Sequence, residues 1–284
     1  MASVLALLSA AAYGAADFLG GMAARQSTAV AAVVVSQAAG LILLLLALPF
    51  LPETVVTIPD IAWGAAAGLA GGSGVAMLYR ALAIGPMSVV APLTAVFAAA
   101  LPVFTGVVLG ERLSLTTTMG IALAAIAIVL IGQDPSSEPR SLTQQASARG
   151  ITLSIVAGLL VGVFFVSLER TSAASGLWPL VPARVVAISL FSATALAGGR
   201  PVLVPQSVVA VALGAGALDM LANALYLIAV QQGQLSVVAT LASLYPASTI
   251  VLARFVLRER WSKLQAAGIA TAVAATTLIV GGIP

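Results

Sequence analysis

Ten continuous apolar stretches follow one another along this chain of 284 residues. A helix needs about 20 mostly apolar residues to cross the hydrocarbon core of a bilayer. The stretches do not alternate between apolar and polar residues, which argues against a membrane β-barrel. We therefore predict an all-α integral membrane protein with ten transmembrane helices, called spans 1 to 10. The spans cover residues 2–22, 29–49, 61–84, 87–109, 113–132, 150–168, 177–197, 207–230, 235–257 and 264–283.

The composition excludes a soluble domain and several kinds of chemistry. Charged residues make up 7% of the chain and hydrophobic residues 61%, whereas a soluble surface needs roughly 25–35% Lys, Arg, Glu and Asp. The net charge of +3 comes without a run of bases, so we expect no nucleic-acid partner. Because cysteine and histidine are absent, we expect no disulfide, thiol nucleophile, cofactor or metal site. The expected partners are the lipid bilayer and a small-molecule substrate.

The second half of the chain repeats the first. A shift of 148 residues aligns residues 81–132 with 229–280 without a gap and gives 21 identities in 52 positions. Gly14 falls on Gly162 under the same shift. A repeat of this length is the mark of a duplicated structural unit. Because both copies lie in one chain, the protein can act as a monomer.

The boundaries of the repeat follow from a polar segment near the middle. We predict a first repeat over residues 1–132, a surface linker over 133–149 that is rich in Ser, Gln and Pro, and a second repeat over 150–284. Each repeat holds five spans, an odd number, so the second repeat enters the membrane from the opposite side. The result is an inverted-topology repeat around a central cavity, a design that many secondary transporters share.

Paired motifs in the two repeats carry a resemblance to a known family. Residues 110–113 read Gly-Glu-Arg-Leu after span 4, which contains Pro102, and residues 258–261 read Arg-Glu-Arg-Trp after span 9. Together with the five-plus-five pattern, these motifs resemble EamA-type ten-helix transporters of the drug/metabolite transporter superfamily over nearly the whole chain. The resemblance implies export or exchange of small metabolites, including amino acids, across the bacterial inner membrane.

The distribution of basic residues predicts the orientation. Loops after odd-numbered spans hold eight Lys and Arg residues, and loops after even-numbered spans hold Arg112 and Arg170. Cytoplasmic loops carry the excess of bases in membrane proteins. We therefore expect both termini outside and the linker in the cytoplasm.

Polar residues inside spans 1 and 8 are the main candidates for substrate binding. Tyr13 and Asp17 share one face of span 1, and Asp219, Asn223 and Tyr226 form a polar stripe along span 8. A charge in the bilayer normally faces a cavity or a partner. Asp17 could instead pair with an arginine or reach headgroup water, and the stripe could join helices. We expect Asp219 to matter more than Asp17, because it lies deeper.

Two arginines inside spans are the natural counter-charges. Arg184 in span 7 is a candidate for a substrate carboxylate or for an ion pair with Asp219 or Asp17, and Arg254 in span 9 is better explained by a structural ion pair. Ser243 and Tyr245 in span 9 complete the predicted binding site.

Three prolines lie inside spans 4 and 9, which are equivalent in the repeat. Proline removes a backbone hydrogen bond and loosens the preceding turn. Pro92, Pro102 and Pro246 could therefore bend these helices during gating, or form static kinks.

These features favour a secondary transporter that works by alternating access. Two carboxylates, two arginines and several hydroxyl and amide groups suit a zwitterion such as an amino acid. A lipophilic-cation or drug exporter would use acids without arginines. A membrane-embedded enzyme needs a nucleophile with its base, and no such pair is evident, so we predict that the protein is not an enzyme.

Overall fold

The computed structural model describes residues 1–84, 87–131, 148–256 and 262–282, and these residues form helices without any strand. Two short 3₁₀ turns, Leu48–Phe50 and Ala173–Ser175, lie in loops. The α-helices in chain order are α1 (Ala2–Arg25), α2 (Ala29–Ala47), α3 (Ile58–Ile84), α4 (Met87–Val108), α5 (Leu115–Ile131), α6 (Ala148–Glu169), α7 (Leu180–Ala197), α8 (Gln206–Val230), α9 (Leu235–Ala242), α10 (Tyr245–Val256) and α11 (Lys263–Gly281).

The length and composition of the helices fit a membrane protein. Eight helices are long and apolar enough to cross a bilayer, and two shorter apolar segments, Leu115–Ile131 and Leu235–Thr249, complete the ten spans. Large apolar side chains such as Leu46, Phe104 and Val108 are more than 60% exposed on the outer surface. Such a surface is stable only in contact with lipid. The prediction of an all-α membrane protein with ten spans is confirmed.

The bundle contacts repeat under the predicted two-fold relation. α1 packs along α8 as α3 packs along α6, and α3 packs on α7 as α8 packs on α2. α4 packs on α6 as α9 and α10 pack on α1. The pairs α2–α7, α4–α9 and α5–α11 each join a helix to its own equivalent, so they lie on the pseudo-two-fold axis.

Close contacts of equivalent glycines follow the same symmetry. A Cβ on Gly14 would lie 2.9 Å from Thr249 N in α10, and a Cβ on Gly162 would lie 2.9 Å from Leu101 Cβ in α4. Thr249 and Leu101 are equivalent in the repeat, since they are 148 residues apart. Small residues let membrane helices approach this closely. The repeat inferred from the sequence therefore extends to individual packing contacts.

α5 and α11 lie at the edge of the bundle and pack mainly against each other. Both are mostly apolar, with a few threonines and, at the start of α11, Lys263 and Gln265. α11 begins with a capping box, in which the Ser262 hydroxyl accepts a hydrogen bond from Gln265 N and the Gln265 side chain accepts one from Ser262 N. The central cavity is therefore built by the other helices.

Span 9 differs from the continuous helix that its apolar sequence predicts. It is broken at Ser243 and Leu244 into α9 and α10. Pro246 is the second residue of α10, where a missing backbone N–H leaves no bond unmade, so proline favours a new helix start there. Pro92 and Pro102, in contrast, lie inside α4, which runs on from Met87 to Val108.

Two predicted features lie outside the described part of the chain. The linker over 133–149 falls there except for Ala148 and Arg149, which begin α6. The side chain of Arg254 is also among those that the structure does not describe.

Candidate functional site

A central cavity lies between the two repeats. Its walls come from α1, α2, α3, α6, α7, α8 and the start of α10. The empty space in and around the cavity, including the part that opens to the outside, is about 680 Å³. Seven polar side chains line it: Tyr13, Asp17, Gln37, Arg184, Asp219, Asn223 and Tyr245.

Arg184 is the centre of the polar wall. Its guanidinium is 5% exposed, and Nη1 donates to Asp219 Oδ2 at 2.6 Å and to Gln37 Oε1. Nη2 is buried and has no hydrogen-bond partner among the described residues. A buried charged donor without an acceptor is costly, by about 1–3 kcal/mol or more. Arg184 therefore has one nitrogen fixed by the protein and one nitrogen available to an anionic group.

Asn223 and Tyr13 support the turn of α8 that carries Asp219. The Tyr13 hydroxyl donates to Asn223 Oδ1 at 2.9 Å, and Asn223 Nδ2 donates to the Asp219 carbonyl oxygen at 2.5 Å. The two side chains thus join α1 to α8 and satisfy each other's polar groups. Their arrangement favours positioning of Asp219.

Asp17 has different surroundings. It lines the cavity one turn after Tyr13 and makes no hydrogen bond or ion pair with the residues described in the structure. It lies eight residues before Arg25, the last residue of α1, and so well inside the span. A carboxylate inside a membrane protein without a partner is costly unless water, a proton or a ligand meets it. Asp17 is the carboxyl group of the cavity that has no partner among the described residues.

The structure separates two predicted binding residues from the cavity. Tyr226 is fully buried, its ring stacks on Phe165 with the centroids 4.3 Å apart, and its hydroxyl donates to the Phe165 carbonyl oxygen at 3.3 Å. Ser243 lies at the break between α9 and α10, where its Oγ is buried without a partner among the described residues. Neither residue lines the cavity, whereas their neighbours Asn223 and Tyr245 do.

The three prolines proposed for gating do not line the cavity either. The break before Pro246 is held against α1. The Ser248 hydroxyl donates to the Ala10 carbonyl oxygen at 3.1 Å, and the Thr249 hydroxyl donates to the Gly14 carbonyl oxygen at 3.2 Å. A gating role for the prolines stays a prediction.

Several cavity residues were not predicted as binding residues. Gln37 is a polar residue in the otherwise apolar α2, and this signal could have identified it. Gly71, Gly72, Phe164 and Phe165 form an apolar wall. Nothing in their type distinguishes them from lipid-facing or core residues, because glycine and phenylalanine serve both roles in membrane helices.

Two acidic side chains join the repeats at the end of the bundle where α1 begins. Asp60 Oδ1 accepts a hydrogen bond from Ser172 N at 2.6 Å, and Oδ2 accepts one from Thr57 N at 2.9 Å. Glu111 accepts hydrogen bonds from Leu235 N at 2.6 Å and from Ser236 N at 3.1 Å, which caps α9. Both acids thus join the two repeats at this end.

No cluster of His, Cys, Asp and Glu able to hold a metal ion occurs within residues 1–84, 87–131, 148–256 and 262–282. The cavity lining holds carboxylate, guanidinium, amide and phenol groups, with no serine, threonine or lysine. Such a set can bind and release a charged small molecule through hydrogen bonds and ion pairs.

Comparison with known proteins gives both a family and a fold. The sequence model of the EamA-like transporter family matches residues 1–133 and, separately, residues 148–281. A crystal structure whose title names no function superimposes with a TM-score of 0.69 at 16% identity, over 98% of this chain and 95% of that chain. At this identity the likeness concerns the fold alone. No protein of curated function matches the sequence.

Proposed function

Since the chain belongs to the EamA-like transporter family, a family of the drug/metabolite transporter superfamily, we propose that it is a secondary transporter of zwitterionic amino acids. It acts in the bacterial inner membrane, by alternating access, in export or exchange. One observation supports the substrate: the cavity lining holds both a buried Arg184 nitrogen and the carboxyl group of Asp17, and neither has a partner among the described residues.

The two groups complement the two ends of an amino acid. Arg184 Nη2 donates to the substrate carboxylate, and Asp17 accepts a hydrogen bond from the substrate ammonium. Asp219 neutralises Arg184 at 2.6 Å and fixes the direction of the guanidinium, so the free nitrogen is held in place before the substrate arrives. Charge-assisted hydrogen bonds of this kind are roughly twice as strong as neutral ones.

The contacts at one end of the bundle support alternating access. The bonds of Asp60 and Glu111 join the repeats at the end where α1 begins. A passage through that end requires these bonds to break, and an inverted repeat allows the two ends to close in turn. The cavity between the repeats is thereby open to one side at a time.

The same observations give less support to the alternative functions. A lipophilic-cation exporter needs acidic groups without a buried basic donor. This cavity holds Arg184, whose side chain is 6% exposed and whose Nη2 has no acceptor among the described residues. An enzyme needs a nucleophile beside a base, and the described cavity lining offers no serine, threonine or lysine for that role.

The test is uptake of radiolabelled amino acids by liposomes that contain the purified protein, with and without a proton gradient. We expect saturable uptake of zwitterionic amino acids and little uptake of tetraphenylphosphonium, a lipophilic cation. The double change Arg184→Gln with Asp219→Asn removes both partners of the ion pair and should abolish uptake in a folded protein. Arg170→Gln is the matched control, because Arg170 is exposed in a loop beside Glu169. Uptake of the cation but of no amino acid would refute the proposal.

A further inference from the structure

The cavity has a polar half and an apolar half, and the two halves are lined by residues at equivalent positions of the two repeats. The polar side chains of α1 and α8 have, 148 residues away, equivalents on α6 and α3 that are apolar or glycine. The equivalent positions all line the same cavity. The pairs are Tyr13 with Val161, Asp17 with Phe165, Asn223 with Val75, and Asp219 with Gly71.

This pairing gives the two walls matched positions but opposite chemistry. The wall of α1 and α8 carries both carboxylates of the cavity, and α7 adds Arg184 to it. The facing wall of α3 and α6 offers no charged or amide group. A substrate charge or amide placed against that wall would lose its hydrogen bonds to water without replacement, a penalty of about 1–3 kcal/mol.

The apolar wall also has a defined size. A Cβ on Gly71 would lie 2.7 Å from the ring of Phe164, so the absence of a side chain at residue 71 sets the position of that ring. Phe165 is 1% exposed and held by stacking on Tyr226. Phe164 is partly exposed, and it is therefore the side chain free to meet a ligand.

We propose that the wall of α3 and α6 is a subsite for the side chain of the amino acid, and that it selects substrates whose side chains are apolar. Gly71 and Phe164 set the largest side chain that the subsite accepts. The proposal rests on the proposed function, since the ammonium and carboxylate must be held by Asp17 and Arg184 for the side chain to face the other wall.

The first test uses the unmodified protein in liposomes. Uptake of radiolabelled leucine is measured in competition with unlabelled alanine, leucine, phenylalanine, serine and glutamate. We expect leucine and phenylalanine to compete about tenfold more strongly than serine, and glutamate not to compete, since a methylene in an apolar pocket changes selectivity by roughly tenfold or more. Equal competition by all five would overturn the subsite and leave the proposed function intact. Failure of the panel and of all other amino acids to be taken up would refute the proposed function.

The second test changes the size of the subsite. Gly71→Ala forces Phe164 to move and should lower the preference for phenylalanine over alanine by about tenfold, whereas Phe164→Ala should raise it. The double variant relieves the contact between the two residues and should return the preference to within about threefold of the starting value. The double variant also tests the size of the subsite if Gly71→Ala alone does not fold.

Gly214→Ala is the matched control. It also adds a methyl group inside a membrane helix, its Cβ would meet Leu19 Cδ1 at 3.3 Å, and neither Gly214 nor Leu19 lines the cavity. We expect this variant to keep the same preference for phenylalanine over alanine. An unchanged preference in the Gly71 and Phe164 variants would overturn their role in selectivity.

Discussion

Asp17 and Asp219 line one cavity but have different electrostatic surroundings. Asp219 is paired with Arg184 at 2.6 Å, while Asp17 has no partner among the residues that the structure describes. Depth in the membrane alone ranks Asp219 as the more important for transport. This ranking combines an effect on transport with an effect on stability. The ion pair separates them, because removal of one member of a buried pair destabilises the fold through the charge left behind.

We therefore expect different outcomes from the two Asn substitutions. Asp219→Asn leaves Arg184 without its counter-charge and should lower the free energy of unfolding by on the order of 3–5 kcal/mol. Asp17→Asn breaks no ion pair, so its melting temperature should stay close to that of the unmodified protein. Its uptake of amino acids should fall at least tenfold, which corresponds to a loss of about 1.4 kcal/mol of substrate binding.

Melting temperature and uptake are to be measured on the same preparation of each variant. A stable Asp17→Asn protein with unchanged uptake would remove Asp17 from the binding site. A stable Asp219→Asn protein would mean that the ion pair contributes little to the fold.

At the scale of helices, the interrupted ninth span depends on contacts from the other repeat. α9 has eight residues, and an isolated helix of that length is unstable in water. Its N-terminus is capped by Glu111, and Ser236 Oγ donates to the Val103 carbonyl oxygen at 3.4 Å. The Gly-Glu-Arg-Leu motif therefore has a structural role in holding a helix of the opposite repeat.

Substitution of Glu111 should weaken this connection. Glu111→Ala removes both acceptors at the α9 N-terminus and should lower the free energy of unfolding by about 1–2 kcal/mol, and Glu111→Gln should lower it less because one amide oxygen remains. Thermal unfolding in detergent measures whether Glu111→Ala is less stable than Glu111→Gln. Glu53→Gln, in an exposed loop, is the control and should leave the melting temperature unchanged. Equal melting temperatures for Glu111→Ala and the unmodified protein would contradict the capping role.

At the scale of the whole molecule, the charge distribution predicts that the end joined by Asp60 and Glu111 faces outward. In the sequence, the loops and helix ends of the opposite side carry eight Lys and Arg residues, against two on this side. A reporter active only in the cytoplasm should be inactive when fused after Pro284, while one active only outside the cytoplasm should be active there. The converse result would reverse the orientation and leave the fold unaffected.

The spans and the repeat could be predicted from the sequence because both depend on the residue types along the chain and not on contacts between helices. Hydropathy marks each span, and the shift of 148 residues brings Glu111 onto Glu259 without knowledge of the fold. The break at Ser243 could not be predicted by hydropathy, because it lies within one continuous apolar segment, Leu235–Thr249.

The candidate site was only partly predictable, since it depends on which helix faces meet. Spacing along one helix puts Asp219, Asn223 and Tyr226 on one face, yet Phe165 of α6 covers Tyr226 and ends the cavity there. Gln37 belongs to the site because α2 packs against α7, which places it beside Arg184. Contacts between residues 147 positions apart do not show in local patterns.

The division of the cavity into unlike walls has a kinetic consequence. Under the proposed alternating access, exchange of the two repeat conformations restores the helix framework but not the binding groups, because Asp17 and Phe165 are equivalent in position and opposite in character. We therefore expect the states that face the two sides of the membrane to differ in their half-saturation concentrations. Without a driving gradient, net flux still vanishes at equal concentrations, since the return rates of the empty carrier balance that difference. By this mechanism, transport responds most steeply to substrate on one side of the membrane.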